Sequence, residues 1–326
     1  MNMSVVGLVV GAIALALVAA WAARRGWRIA NPWGRWIAAI VGVLVTLAAA
    51  AAAIVLMIGL YRLRNQDDHP IPKIKVEASA EALDRGAHLA EACAGCHSGT
   101  GDPPLDGSTK DNFLEGLGAL YPPNLTPGGV IGDRSDGRIA RAIREGIGID
   151  GRPLIIMPSP YFHSLSDEDT AAIITYLRSQ PAVDEQVPQR ELGPMATLLI
   201  GAGMFPLSVQ EPIEDVIDPP DTESPKKWGK YLSTVMACGE CHGDDFHGKT
   251  GGNGPSGPDL TVYADKWSPE EWRDTIRNGV DPTDNKLDPD EMPWKDYSDA
   301  LSDDELEAIH AYIASVPKKG EDDTEN

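Results

Sequence analysis

The chain has 326 residues, a formal net charge of −21 and four cysteines. So acidic a balance excludes nucleic acid as a natural partner. The charge is also lopsided: the first 64 residues hold six arginines and no acid, which leaves 22 basic against 49 acidic residues, a balance of −27, for everything after them. A partner with a basic docking face would be steered towards that remainder. General acidity for solubility, or for a salty habitat, explains the same numbers.

Residues 1–64 read as a transmembrane helical hairpin. Val5 to Ala23 is apolar and uncharged, and Trp36 to Leu60 is a second, longer apolar stretch. At 1.5 Å per residue, each can span a hydrocarbon core of about 30 Å. The connection holds Arg24, Arg25, Arg28 and Arg35, with Trp27 and Trp33 as interface aromatics. The positive-inside rule sets that loop in the cytoplasm, so everything after Tyr61 is expected on the outer, periplasmic face of the cytoplasmic membrane. A cleaved signal segment ending at Ala20-Trp21-Ala22 is the alternative, but a signal carries positive charge ahead of its apolar core and none precedes Val5. The run Ala48 to Ala53 suits close packing against helices of a larger membrane complex; a plain anchor is the simpler reading.

Residues 65–78, with Pro70 and Pro72, read as a spacer. A first domain is expected over 79–184, and it contains Cys93-Ala-Gly-Cys96-His97. An interdomain connector over 185–224 holds several prolines and one apolar stretch, Met195 to Leu207. That stretch is too short to cross a bilayer at normal tilt. It reads as a buried helix between the domains, with membrane-surface contact as the alternative. A second domain is expected over 225–317 with Cys238-Gly-Glu-Cys241-His242, followed by an acidic, disordered tail over 318–326.

Cys-x-x-Cys-His is the attachment signature of a c-type haem: two thioethers to the vinyl groups and a histidine beneath the iron. A single run could be a thiol pair. Two runs that use all four cysteines, far apart in sequence, are hard to read as one tetrahedral zinc site. The surrounding sequence repeats as well. Pro123-Asn-Leu-Thr126 recurs as Pro258-Asp-Leu-Thr261, and Met157-Pro158 as Met292-Pro293, with 34 residues from the proline to the methionine in both copies. Ile143-Arg-Glu-Gly146 matches Ile276-Arg-Asn-Gly279, and Leu165-Ser-Asp-Glu-Asp169 matches Leu301-Ser-Asp-Asp-Glu305. Self-similarity over this length means two copies of one domain. Ser166 and Ser302 start the closing helices as N-caps, with acids in the first turn and apolar residues at helical spacing behind them.

On these residues each half resembles a class I cytochrome c domain, which gives an all-α fold: a helical hairpin followed by two tandem haem domains. The resemblance implies two covalently attached haem c groups. It implies His97 and Met157 as ligands of one iron and His242 and Met292 as ligands of the other. It also implies that Pro123 and Pro258 offer their carbonyls to the ligand histidines. Each methionine could instead fill a gap in the core, and His163 is a rival to Met157; the second half has Tyr297 near the comparable place. His88, His247 and His310 read as surface or packing histidines. An iron with two protein ligands has no open position, which favours single-electron transfer over peroxide or oxygen chemistry.

Tyr121-Pro-Pro-Asn-Leu-Thr, Arg141-Ala-Ile-Arg-Glu-Gly-Ile-Gly, Asp150-Gly-Arg-Pro and Leu165-Ser-Asp-Glu-Asp further resemble the cytochrome subunits of membrane-bound alcohol and gluconate dehydrogenases. Those subunits usually carry three haems and lack the hairpin. The layout is also similar to the dihaem subunit of some haem–copper oxidases. The expected function is a non-enzymatic electron relay within a respiratory or photosynthetic complex, in contact with membrane lipid and redox protein partners. A dihaem peroxidase and a haem-containing assembly subunit are the rivals. Gly243-Asp-Asp-Phe-His-Gly-Lys-Thr250 matches a phosphate-loop pattern letter for letter, but a haem motif stands where the strand should be and Gly251 to Pro258 cannot continue a helix. No nucleotide is expected.

Overall fold

The computed structural model describes residues 3–28, 31–64, 69–250 and 256–319. It opens with two long helices, α1 (Met3–Gly26) and α2 (Pro32–Arg62), both long and apolar enough to cross a membrane. Small residues let them approach closely. A Cβ on Gly42 would lie 2.5 Å from that of Ala23, and Thr46 Oγ1 donates to the Gly42 carbonyl at 2.7 Å.

The first haem-motif domain comprises α3 (Ala80–His97), strand β1 (Gly118–Ala119), α4 (Asp136–Glu145), α5 (Ser159–Phe162) and α6 (Asp167–Ser179). The connector holds β2 (Glu191–Leu192), antiparallel to β1, and helix α7 (Pro194–Gly201). The second domain comprises α8 (Pro225–Val235), α9 (Cys238–His242), β3 (His247–Lys249), β4 (Gly257–Asp259), α10 (Leu260–Lys266), α11 (Pro269–Asn278), α12 (Trp294–Ala300) and α13 (Asp303–Ile313). Among the described residues the fold is all-α apart from these two short ribbons.

The repeat read in sequence is a repeat in space. In each half the first helix crosses the closing helix at a glycine. A Cβ on Gly86 would sit 1.9 Å from the Ala172 carbonyl oxygen, and one on Gly229 would sit 1.8 Å from that of Ala308. No side chain fits either crossing. Ser166 and Ser302 cap α6 and α13, and Glu305 completes a capping box with Ser302. Gly146 and Gly279 close α4 and α11 in left-handed backbone, at φ 66° and 64°.

The two domains share one core, in which Leu89, Ile139 and Ile174 are continuous with Leu232, Trp272 and Ile309. Their polar contacts are reciprocal. His88, two residues past Gly86, meets Glu305 of the second domain at 2.6 Å; Tyr231, two residues past Gly229, donates to Asp169 of the first at 2.6 Å. Arg85 bridges both acids at 2.8 Å. Burial opposes its charge, but Asp169 and Glu305 outweigh that and hold the guanidinium above its ordinary value. His88, read from sequence as a surface or packing histidine, thus makes a polar contact across the seam between the domains.

Two sequence expectations change. The spacer, described from His69 onward, is packed along the first domain: Ile74 and Val76 join its core, and the His69 carbonyl accepts from Arg141 at 3.0 Å. Its prolines suggest a free tether, but its isoleucines and valine find an apolar face. Residues 65–68 and 320–326 lie outside the described residues, and with them part of the expected spacer and of the disordered tail. The apolar connector stretch is not a helix between the two haem-motif domains. Helix α7 lies between the first domain and α2. Thr197 and Gly201 meet Gly59 and Val55 of α2, while Ala196 and Ile200 meet Leu114, Ile155 and Leu192. Periodicity marks an apolar helix but not which apolar neighbour it covers.

Candidate haem sites

In the first domain the motif occupies the last turn of α3. His97 is buried, and its Nδ1 lies 2.9 Å from the Pro123 carbonyl. A carbonyl can only accept, so Nδ1 carries the proton and Nε2 keeps its lone pair for a metal. His242 repeats this with the Pro258 carbonyl at 2.9 Å. A Cβ on Gly257 would lie 2.7 Å from His242 Nδ1, so the loop can close over that ring only with glycine there. Burial lowers the pKa of both histidines, with the carbonyl bonds acting in the opposite sense, so the neutral, ligating form is favoured. Burial also pushes the Cys93 and Cys238 thiols up to about 12 and raises Cys96 and Cys241.

Each motif faces an apolar cavity that also receives the matching methionine. The first, about 40 Å³, is lined by Cys93, His97 and Met157, with Leu125, Phe162 and Leu177 among its apolar walls. The second, about 180 Å³, is lined by Cys238, Cys241, His242, Pro258 and Met292, with Trp272 and Tyr297. Cys96 lies at the exposed edge of the first site. Ile156 precedes Met157 with φ at 71°, a left-handed setting that a β-branched residue adopts only under constraint. His163 does not line the first cavity, and its Nδ1 faces the Arg144 carbonyl at 3.1 Å.

The donor set matches a covalently held haem: two thiols and an imidazole on one side, a thioether on the other, apolar walls between. Trp272 of the second wall also keeps a buried indole N–H without a protein partner, a donor suited to an acidic group on an otherwise apolar ligand. The phosphate-loop lookalike is a turn after α9 running into β3, with no strand before it; residues 251–255 of its expected continuation lie outside the described residues. Among the described residues, no three His, Cys, Asp or Glu side chains cluster into another metal site.

Sequence reasoning missed the cross-domain parts of the sites. Val235 and Met236, at the end of α8, line the first cavity. The Met236 carbonyl accepts the Tyr297 hydroxyl at 3.3 Å, and Tyr297 lines the second cavity. Two residues joined by one hydrogen bond, Met236 and Tyr297, therefore link the lining of one cavity to that of the other. Tyr161, four residues after Met157, has its hydroxyl pKa pushed up to about 12 by burial and by Glu240, Asp244 and Cys241 of the other domain. Asp296, four residues after Met292, is in turn among the acids that raise Cys96. Only the repeat alignment could have hinted at these reciprocal contacts.

These features define a helical protein with two c-type cytochrome domains. Residues 83–181 match the cytochrome c family, and residues 229–313 match the family of cytochrome c oxidase, cbb3-type, subunit III. Among curated proteins the chain is similar to the fructose dehydrogenase cytochrome subunit of Gluconobacter japonicus, 26% identical over 84% of this chain and 60% of that protein. It is 31% identical to one of the subunits of nicotinate dehydrogenase from Pseudomonas putida, over 50% of this chain and 14% of that protein. It is 27% identical to the cytochrome c subunit of the quinone alcohol dehydrogenase of Gluconobacter oxydans, over 51% and 36% respectively. The chain thus spans at most 60% of the length of these relatives.

Proposed function

We propose that this chain is a membrane-anchored dihaem cytochrome c that relays single electrons on the periplasmic face of the cytoplasmic membrane, as a subunit of a larger oxidoreductase complex. The observation that carries this reading is the repetition of the same four residue types, Cys, Cys, His and Met, around two apolar cavities linked by the Met236–Tyr297 hydrogen bond. Cys93 and Cys96 would attach one haem, with His97 and Met157 as iron ligands; Cys238, Cys241, His242 and Met292 would serve the other. Haem c, when bound, supplies an Fe(III)/Fe(II) couple.

The protein's part is to keep that couple closed and close. Pro123 and Pro258 fix the tautomer of the ligand histidines, and the methionines leave no position for a substrate. The apolar walls exclude water and disfavour the extra charge of the ferric state. Met236 and Tyr297 provide a short connection from one cavity to the other. The arginine-bearing α1–α2 connection supports the assignment of the domains to the outer face. The names of the relatives favour a dehydrogenase subunit as the electron donor, and the −27 balance after residue 64 suits an acceptor with a basic docking face.

A pyridine haemochrome assay on the purified full chain is expected to give two haem c per polypeptide. Carbon monoxide should bind neither reduced haem rapidly. One haem per chain would refute the dihaem reading, and fast carbon monoxide binding at one haem would favour a peroxidase-type site instead.

A further inference from the structure

Among the described residues, the apolar connector helix leaves part of its surface without a protein neighbour. No charged residue occurs from Leu192 to Gln210, in a chain with 49 acids. One face of α7 is closed. Gly59 of α2 approaches the Thr197 carbonyl so nearly that a Cβ there would be 2.1 Å from it, and Gly201 approaches the Val55 carbonyl as nearly, at 2.0 Å. Reciprocal glycine contacts of this kind bring helix backbones together where packing, not hydrophobic expulsion, holds them. Arg62 Nη1 donates to the Ile200 carbonyl at 2.8 Å and ties down the C-terminal end of α7. Ala196 and Ile200 are buried against the first domain. What remains open is Met195 in the first turn of α7, 54% exposed, and Met204 in the turn that follows the helix, 66% exposed.

The level of these two side chains along α2 decides what covers them. Val55 and Gly59 lie six and two residues before Tyr61, so at 1.5 Å per residue α7 crosses α2 roughly 3–9 Å below the tyrosine. Ile54, Met57 and Ile58 of α2, at the same level, are also exposed apolar side chains. Arg62 and Arg64 follow directly above. If the hairpin spans a bilayer, a point on which this inference rests, then whatever surrounds Ile54 and Ile58 also surrounds Met195 and Met204. A depth of about 5–10 Å below the surface is where interfacial helices settle.

We propose that α7 and the turn after it form a third membrane-contacting element: an interfacial segment that sets Met195 and Met204 in phospholipid at the acyl–headgroup boundary of the outer leaflet. It clamps the first domain to the membrane surface through the same residues that bury Leu114 and Leu192. The first domain is then held at a fixed height above the bilayer, with no swinging tether.

The full-length protein, reconstituted in phosphatidylcholine–phosphatidylglycerol vesicles, tests this with a photo-crosslinking amino acid placed singly at Met195, Met204, Leu47 in the middle of α2, or Ser315 in the second domain. Mass spectrometry then reads the phospholipid adducts. Adducts at Met195 and Met204 are expected roughly tenfold above those at Ser315, at a level comparable with Leu47. Adducts at Leu47 with none at Met195 or Met204 would overturn the proposal and leave the spanning hairpin intact. Crosslinks from Met195 or Met204 to a second protein chain would overturn it too. Absence of lipid adducts at Leu47 as well would remove the spanning hairpin on which the proposal stands.

Discussion

In the first domain the haem motif finishes an unbroken 18-residue helix; in the second it forms a separate five-residue helix entered through Ala237 in left-handed backbone. The surroundings differ more than the motifs. Among the described residues, the second cavity, about 180 Å³, is lined only by residues of its own domain. The first, about 40 Å³, borrows Val235 and Met236 from the neighbouring domain. The first domain is also held from below by α7 and its strand pairing to the connector. The same four residue types, Cys, Cys, His and Met, are thus arranged twice, once around a cavity of a single domain and once around a cavity completed by the other domain. Since burial and wall polarity tune a haem, the two sites should have separable potentials even with identical ligands.

The largest effects should be those the two halves share. Gly86→Val and Gly229→Val each drive a side chain into a carbonyl oxygen that already lies within 2 Å of the Cβ position. A repacked helix pair would lose on the order of 3 kcal/mol or more. Both variants should give little folded holoprotein, measured as haem absorbance per milligram in the membrane fraction. Normal yield from one variant and not the other would break the equivalence of the two crossings.

Next in size is the seam between the halves. Arg85→Ala leaves Asp169 and Glu305 as buried acids without their shared cation. Removing one partner of such a pair typically costs about 3–5 kcal/mol. Thermal melts followed at the two haem sites should then separate into two transitions, where the parent protein is expected to melt once because its domains share one core. A single unshifted melt would mean that apolar contacts alone join the domains.

Met236→Ala sharpens the asymmetry directly. The side chain is buried, and its loss should cost about 3 kcal/mol. Although Met236 belongs to the second domain, the spectral and potential changes should fall on the first site, whose cavity it lines. A redox titration resolving both haems would read this. A change confined to the second haem would show that Met236 has no influence on the first site.

Much of this was legible in the sequence, for identifiable reasons. The motifs, the equal proline-to-methionine spacing and the serine caps are local patterns, and local patterns survive in a linear reading. The histidine–proline contacts followed from the family resemblance and reappear as hydrogen bonds of 2.9 Å in both halves. What stayed hidden depends on which surfaces meet. His88 carries no mark in sequence of its pairing with a capping-box acid 217 residues later. Met236 looks like an ordinary helix-end residue until the other domain's cavity is seen against it. The apolar run around Leu198 reveals its helix but not that α2, more than 130 residues earlier, is its neighbour.

The smallest expected effect concerns pH and again separates the halves. Burial alone would raise the pKa of Glu305, but His88, the Ser302 amide and Arg85 outweigh it and lower the group to about 2. Two of those three partners come from the first domain, so the shift belongs to the seam. The ordinary value of the group is 4.5. Its ionised form therefore stabilises the assembled pair fully above that value, and the contribution fades as pH falls from about 4.5 towards about 2. The amount at stake is on the order of 2 kcal/mol. Stability measured by urea unfolding should be flat in this contribution from pH 7 to pH 5 and decline below. Glu305→Gln should flatten that decline while lowering stability at neutral pH, because the glutamine keeps the shape and loses the charge that Arg85 answers. An unchanged acid limb in the variant would assign the loss of stability in acid to other carboxylates and leave Glu305 a capping residue of α13 alone.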